Sequence, residues 1–138
     1  MKAQVPTKIL LADDSQIVLR LAQCFLRTRY ATITATSGEE TFRLALAERP
    51  ALIILDRHMP GWSEDTTLAA LARDERTRNI PILVMTTEDH IASIRHGAGH
   101  LVKPFDATTL LGGVQECLSP RVARRVQART FEPCSAAR

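Results

Sequence analysis

Five short apolar runs alternate with amphipathic stretches along the chain. The runs cover residues 9–12, 31–35, 51–55, 80–85 and 100–102. Most are apolar without strict alternation, which is typical of strands in a parallel sheet covered on both faces, although a short apolar run also fits a buried helix. We therefore predict five β-strands.

The first stretch between two strands, residues 15–29, predicts an amphipathic helix. Its apolar residues recur at steps of three and four and form one stripe. The members of this stripe are Ile17, Val18, Leu21, Cys24 and Phe25. We expect the stripe to face the sheet.

Four further helices are expected. Ser37 and Glu40 form a Ser-x-x-Glu capping box, so a helix begins there and ends before Pro50. The other three are expected at about 64–73, 88–95 and 106–118. Alternating strands and helices joined by short loops indicate an α/β fold, a doubly wound five-stranded parallel sheet with right-handed crossovers and helices on both faces.

The composition is that of an ordinary globular chain. Apolar residues make up 45% and charged residues 24% of the sequence, and no run approaches the ~20 apolar residues that a membrane span requires. Residues 1–8 contain two lysines but no apolar segment that would make a signal peptide. We therefore expect a soluble, cytoplasmic protein without membrane contact.

The net charge of +3 is unevenly distributed. Residues 1–118 carry 13 Lys+Arg against 14 Asp+Glu, whereas residues 119–138 carry 5 Arg against one Glu. Nucleic-acid binding is therefore not expected of residues 1–118, and the arginines of the tail lack the interleaved aromatic residues of a nucleic-acid site. We divide the chain into an N-terminal extension (1–6), one domain (7–118) and a basic linker or disordered tail (119–138).

Polar residues follow four of the five predicted strands at their carboxyl ends. They are Asp13 and Asp14 after the first strand, Asp56 after the third, Thr86 and Thr87 after the fourth, and Lys103 after the fifth. Open α/β sheets bind ligands at this edge, and with strand order 2-1-3-4-5 the topological switch point falls between strands one and three. The three acidic residues are therefore expected to share one pocket.

Three carboxylates in one pocket require a cation, because two of them about 4 Å apart repel by roughly 4 kcal/mol at an effective dielectric of about 20. Mg²⁺ is the expected cofactor, since it prefers hard oxygen ligands and bridges carboxylates to phosphate, and no His or Cys is placed to favour zinc. Lys103 can pair with Asp56 or with a phosphoryl oxygen, and the Thr86 hydroxyl can donate to a second oxygen. These groups suit phosphoryl transfer to an Asp nucleophile.

In order and spacing these residues resemble the receiver domain of two-component response regulators, of which the chemotaxis regulator is the single-domain type. The resemblance covers residues 7–118. Its motifs are LLADDS (10–15), LDRHMPG (55–61), VMTT (84–87) and VKPF (102–105). The resemblance implies the flavodoxin-like form of the doubly wound sheet.

The resemblance also implies a metal site. Asp14 and Asp56 would ligate Mg²⁺ directly, together with the backbone carbonyl of His58, and Asp13 would act through a water molecule.

The phosphoryl site implied by the resemblance is centred on Asp56, the phosphoacceptor. Thr86 would be the switch hydroxyl, and the Thr87 backbone amide and Lys103 would complete the shell around the phosphoryl oxygens. The bond between Lys103 and Pro104 would be cis. Phosphorylation would shift a pre-existing equilibrium and remodel the face made by the fourth helix, the fifth strand and the fifth helix.

The sequence departs from the family on that face. Thr86 and Lys103 are 17 positions apart, about a helical turn less than in the family, so the fourth helix should be shortened or displaced. The position three before Lys103, commonly aromatic, is His100, which puts the usual threonine–aromatic coupling in question. Two positions that tune phosphate lifetime in the family are His58 and Glu88 here.

The function implied is a phosphorylation-dependent signalling switch, a phosphoprotein of a two-component phosphorelay. It would not be an enzyme beyond its own phosphorylation and dephosphorylation. A sensor histidine kinase or a phosphotransfer protein would supply the phosphoryl group. A downstream protein or a missing C-terminal output domain would receive the signal, and a homodimer is an open possibility.

Other interpretations stay open. The shortened fourth helix and His100 also fit a receiver-like interaction module that never uses phosphate. Phosphatases of the haloacid dehalogenase type also use a strand-end Asp, Mg²⁺, Thr and Lys, but they require Asp-x-Asp where this sequence has Asp56-Arg57-His58. Taken singly, Asp13 and Asp14 fit a helix cap and Asp56 fits a turn.

Overall fold

The computed structural model describes residues 6–87, 99–122, 124 and 126. Its five strands are β1 (Thr7–Ala12), β2 (Tyr30–Ala35), β3 (Leu52–Asp56), β4 (Ile82–Thr86) and β5 (Gly99–Val102). Each overlaps one predicted apolar run. All pair in parallel, in the order β2-β1-β3-β4-β5. The predicted fold class, a doubly wound flavodoxin-like sheet, is therefore confirmed.

The described residues form four helices that cover the sheet. They are α1 (Gln16–Leu26), α2 (Gly38–Glu48), α3 (Glu64–Arg73) and α4 (Ala107–Cys117). Each begins after a side chain that accepts a hydrogen bond from a first-turn amide, namely Ser15, Ser37, Ser63 and Asp106. In this part of the chain no helix is long and apolar enough to cross a bilayer. Helix α4 is the fifth predicted helix, and the short helix predicted at 88–95 lies outside the described residues.

The core lies on both faces of the sheet. Leu11 and Ile54 pack into one buried cluster with α1 and α4, while Leu10 and Ile53 pack into the other with α2 and α3. Successive side chains of a strand point to opposite faces, and here both faces are covered. This is why the central strands β1, β3 and β4 are largely apolar.

The orientation predicted for α1 was wrong. The residues buried on its inner side are Leu19, Ala22 and Leu26, with Val18 and Phe25 packed partly beside them. Ile17 is 80% exposed, Leu21 is 43% exposed, and Cys24 is also exposed. Apart from Gln16, Arg20 and Gln23 the helix is apolar, so two overlapping stripes satisfy the helical period and only one of them meets the sheet. We call Ile17, Leu21 and Cys24 the outer stripe of α1.

Helical conformation continues beyond α4. Residues 120–122, 124 and 126 are helical, and the Ser119 hydroxyl accepts a hydrogen bond from the Val122 amide at 3.4 Å. Val122 and Val126 are both buried. The region predicted as a linker or tail therefore begins with residues that have a buried face, and the division of the chain at Leu118 stays a prediction.

Candidate functional site

The three acidic residues named from the sequence lie together at the carboxyl edge of the sheet. Strands β1 and β3 are neighbours, with Ala12 opposite Leu55, so Asp13 directly after β1 lies beside Asp56 at the end of β3, at the switch point. One carboxylate oxygen each of Asp13, Asp14 and Asp56 lies within 4.8 Å of the others. Asp13 and Asp56 are buried, whereas Asp14 is exposed.

Local hydrogen bonds fix the position of Asp13. Its amide donates to the Ala35 carbonyl of β2 at 3.0 Å, and its Oδ1 accepts from the Ser15 amide at 2.9 Å. Ser15 is itself the cap of α1. Asp13 and Asp14 are therefore not the cap of this helix, and their carboxylates contribute to the pocket.

Lys103 brings a positive charge into the pocket from β5. Its Nζ donates to Asp13 Oδ2 at 2.8 Å and to Asp56 Oδ1 at 3.1 Å. The Lys103 amide donates to the Thr86 carbonyl at 2.7 Å, and the bond from Lys103 to Pro104 is cis. The ammonium group thus pairs with two carboxylates at once, whereas the sequence pointed only to Asp56.

The pocket has an excess of negative charge. Burial raises the pKa of Asp56 above its ordinary value, and the charge of Asp13 raises it further, while Lys103 opposes this only in part. Burial lowers the pKa of Lys103, but its hydrogen bond to Asp13 and the charges of Asp56 and Asp13 outweigh that effect and raise the pKa overall. One ammonium group does not balance three carboxylates.

The donor set fits a hard divalent cation. The cluster offers only carboxylate oxygens, with no His or Cys from the described residues, and such ligands favour Mg²⁺ over zinc. A cation would relieve the repulsion that raises the pKa of Asp56. Because Asp14 is exposed, this cation can reach the pocket from solvent.

The threonines predicted for the phosphoryl shell lie at the carboxyl end of β4, with Thr86 as its last residue and Thr87 directly after it. Thr86 is buried, and its hydroxyl donates to the Thr87 carbonyl at 3.1 Å. Thr87 is exposed at the carboxyl edge. The Thr86 hydroxyl is therefore hydrogen-bonded to a backbone carbonyl. It must give up that bond to donate to a phosphoryl group on Asp56.

A family model for the response regulator receiver domain matches residues 9–115. The chain belongs to this family. Over 114 residues it is 32% identical to the response regulator PleD of Caulobacter vibrioides, a match that spans 78% of this chain but 25% of PleD. It spans about half the length of other curated relatives. These comparisons show that the chain is a receiver domain. Several of the curated relatives are much longer than the part that matches.

Solved receiver domains share the fold. The chemotaxis response regulator CheY4 of Vibrio cholerae superposes with a TM-score of 0.75 at 30% identity, over 80% of this chain and 98% of CheY4. The receiver domain of the sensor histidine kinase PA1611 from Pseudomonas aeruginosa superposes with a TM-score of 0.71 at 21% identity, over 88% of this chain and 97% of that domain. That structure holds a magnesium ion in its active-site cleft.

The remaining predicted residues of the receiver domain are exposed or lie outside the described residues. His58 is exposed in the loop after β3, and His100 is exposed on β5. Glu88 lies outside the described residues, together with the rest of the fourth helix predicted at 88–95. The tuning and switching roles of these residues stay predictions.

One pair of residues beside the site was missed from the sequence. Arg57 follows Asp56, and its Nε donates to Oε1 of Glu64, the first residue of α3, at 3.1 Å. The available signal was a pair of opposite charges at the two ends of one receiver-domain loop. Spacing alone did not show that the loop brings them into contact.

Proposed function

We propose that this receiver domain is a phosphorylation-dependent switch that accepts a phosphoryl group on Asp56. The observation that carries the proposal is the pocket itself, in which a buried Asp56 lies beside two further carboxylates and a lysine. The raised pKa of Asp56, caused first by burial, marks a carboxylate whose charge is poorly compensated until a cation is present.

In the proposed step a carboxylate oxygen of Asp56 attacks the phosphorus of the donor and forms an acyl phosphate. The bond between phosphorus and the donor's nitrogen or oxygen breaks, and the donor keeps the electron pair and takes up a proton. Lys103 donates hydrogen bonds to one phosphoryl oxygen. The Thr86 hydroxyl and the Thr87 amide donate to others.

The metal site of the proposal uses the same pocket. Asp14, Asp56 and the backbone carbonyl of His58 would hold Mg²⁺ directly, and Asp13 would act through water. The ion supplies charge neutralisation to the carboxylates and the phosphoryl oxygens. Support comes from the all-oxygen acidic cluster and from the magnesium ion in the PA1611 receiver domain.

The proposed phosphodonor is a sensor histidine kinase or a phosphotransfer protein in the cytoplasm. The outer stripe of α1 supports docking of a protein donor, because Ile17 and Leu21 are exposed apolar side chains on the helix that begins directly after the acidic pair. Output would pass to a downstream protein or a further domain through the side of the sheet that carries β5 and α4. His58 and Glu88 would set the phosphate lifetime, with His100 and Thr86 taking part in switching.

The test is phosphorylation by a small acyl phosphate in the presence of Mg²⁺, followed by intact mass spectrometry. The unaltered chain should gain one phosphoryl group, Asp56→Asn should gain none, and the exposed control Asp65→Asn should behave as the unaltered chain does. Equal labelling of Asp56→Asn would reject Asp56 as the acceptor.

The phosphate-independent interaction module makes a different prediction in the same experiment. A folded chain that neither binds Mg²⁺ in calorimetry nor becomes labelled would favour that function.

A further inference from the structure

An ion pair closes the loop between β3 and α3. Arg57 Nε and Glu64 Oε1 are 3.1 Å apart, and the two side chains are only 15% and 16% exposed. The Lys8–Glu48 pair, by comparison, is 38% and 39% exposed. A partly buried pair is screened less by water and salt than an exposed one, so it restrains its residues more strongly.

The same loop has other fixed points on either side of His58. The Arg57 amide donates to the Met85 carbonyl at 3.3 Å, which extends the pairing of β3 with β4 by one residue. Met59 packs against the buried cluster under α2 and α3. Gly61 then bends the chain at a φ of 84°, a conformation that glycine adopts without strain. His58 is exposed, yet both of its chain neighbours are held.

We propose that Arg57 and Glu64 are positioning residues for Mg²⁺ binding. Their ion pair fixes the loop so that the backbone carbonyl of His58 is presented to the cation beside Asp14 and Asp56. This inference rests on the metal site of the proposed function and extends it to two residues that do not touch the ion. Groups that orient metal ligands commonly change metal affinity when they are altered.

The signs of two substitutions separate positioning from a simple effect of charge. If only the electric field mattered, removing the positive Arg57 would strengthen Mg²⁺ binding and removing the negative Glu64 would weaken it. If the ion pair positions the loop, either substitution breaks the same contact, so both should weaken binding. The double variant should then bind Mg²⁺ no more weakly than whichever single variant has the lower affinity, because the contact can be lost only once.

The experiment measures the Mg²⁺ dissociation constant by calorimetry for the full chain and for Arg57→Gln, Glu64→Gln and the double variant. Each single variant should bind Mg²⁺ about tenfold more weakly. Glu48→Gln, which breaks the Lys8–Glu48 pair away from the pocket, is the matched control and should bind as the unaltered chain does. Thermal unfolding without Mg²⁺ shows that each variant is folded.

Glu64→Asp adds a variant that keeps the charge at the start of α3 but shortens the side chain, so it should also weaken binding. If Glu64→Gln lowers the melting temperature, Glu64→Asp is the variant that tests the positioning role. Opposite effects of Arg57→Gln and Glu64→Gln, or unchanged affinity in Glu64→Asp, would overturn the positioning role while leaving the metal site intact. Absence of Mg²⁺ binding by the unaltered chain would overturn the proposed metal site, and this inference with it.

Discussion

The ionised form of Asp56 is unfavourable in the folded chain. Burial and the neighbouring charge of Asp13 raise its pKa, and the shared Lys103 ammonium does not fully offset them. A carboxyl group with a raised pKa favours folding when it is protonated and opposes folding when it is ionised. The residue proposed to carry the chemistry is therefore a cost to stability at neutral pH.

Asp56→Asn should stabilise the Mg²⁺-free chain at pH 7, because it removes a buried charge that burial and the neighbouring Asp13 both disfavour. The stability contributed by Asp56 is complete below its unfolded-chain pKa near 3.8 and is lost as the pH rises through the higher folded-state pKa. The advantage of the variant should therefore vanish at acid pH. Chemical denaturation of the unaltered chain and of Asp56→Asn at several pH values measures this difference in the free energy of unfolding.

Asp65→Asn, at an exposed position of α3, is the control and should show no such pH-dependent gain. A loss of stability in Asp56→Asn at pH 7 would mean that the pair with Lys103 outweighs burial and repulsion.

Helix α1 presents an apolar surface to solvent where most helices of this kind present polar residues. Substituting Ile17 and Leu21 by Ser should leave stability nearly unchanged, because both side chains are exposed. If the outer stripe docks a phosphodonor, labelling from a phosphorylated sensor kinase that modifies the unaltered chain should fall about tenfold, equivalent to about 1.4 kcal/mol of docking energy. Timed transfer of radiolabelled phosphate measures it.

The small acyl phosphate serves as the control donor, since it needs no docking surface, and it should label the double variant at the normal rate. Ala47→Ser on the exposed side of α2 is the matched substitution away from the stripe. Equal loss with both donors would show that the substitutions disturb the pocket and not docking.

The elements could be predicted from the sequence to different degrees. The strands were found because both faces of the sheet are buried, which leaves continuous apolar runs such as residues 52–55 before the acceptor. The face of α1 was not found, because a helix that is apolar nearly all round has no unique inner stripe. The Arg57–Glu64 contact was missed because a loop conformation decides it. The buried side of the Val122 segment was missed because arginines separate its apolar residues.

The position of the site could be predicted from the sequence, but the hydrogen-bond partners within it could not. Parallel pairing of β1 with β3 brings their carboxyl ends to the same edge of the sheet, and the register with Ala12 opposite Leu55 then places Asp13 beside Asp56. Asp13 is the second partner of Lys103, and this contact depends on how far the lysine side chain reaches along the edge of the sheet. The spacing of residues in the sequence does not show that reach. Where the Thr86 hydroxyl points also depends on a local bond that the sequence does not show.

At the scale of the whole molecule, the structured part of the chain extends past the predicted boundary at Leu118. Truncation after Leu118 should lower the free energy of unfolding by about 2 kcal/mol, the value of burying one side chain such as Val122. A chain truncated after Val126 keeps both buried valines and is the matched comparison. Denaturant unfolding of the two truncated chains and the full chain gives the comparison. Equal midpoints for all three would show that the helical residues after Ser119 add nothing to the domain.

The double contact of Lys103 also has a consequence for synthesis. Its partners Asp13 and Asp56 precede it by 90 and 47 positions. Because the ribosome delivers residues in order, all three carboxylates emerge before the ammonium group that offsets them. During that interval the acidic residues lack the ammonium group that pairs with Asp13 and Asp56 in the folded structure. A dissolved divalent cation at this edge of the sheet would offset the repulsion among the carboxylates during the same interval, before any signal is received.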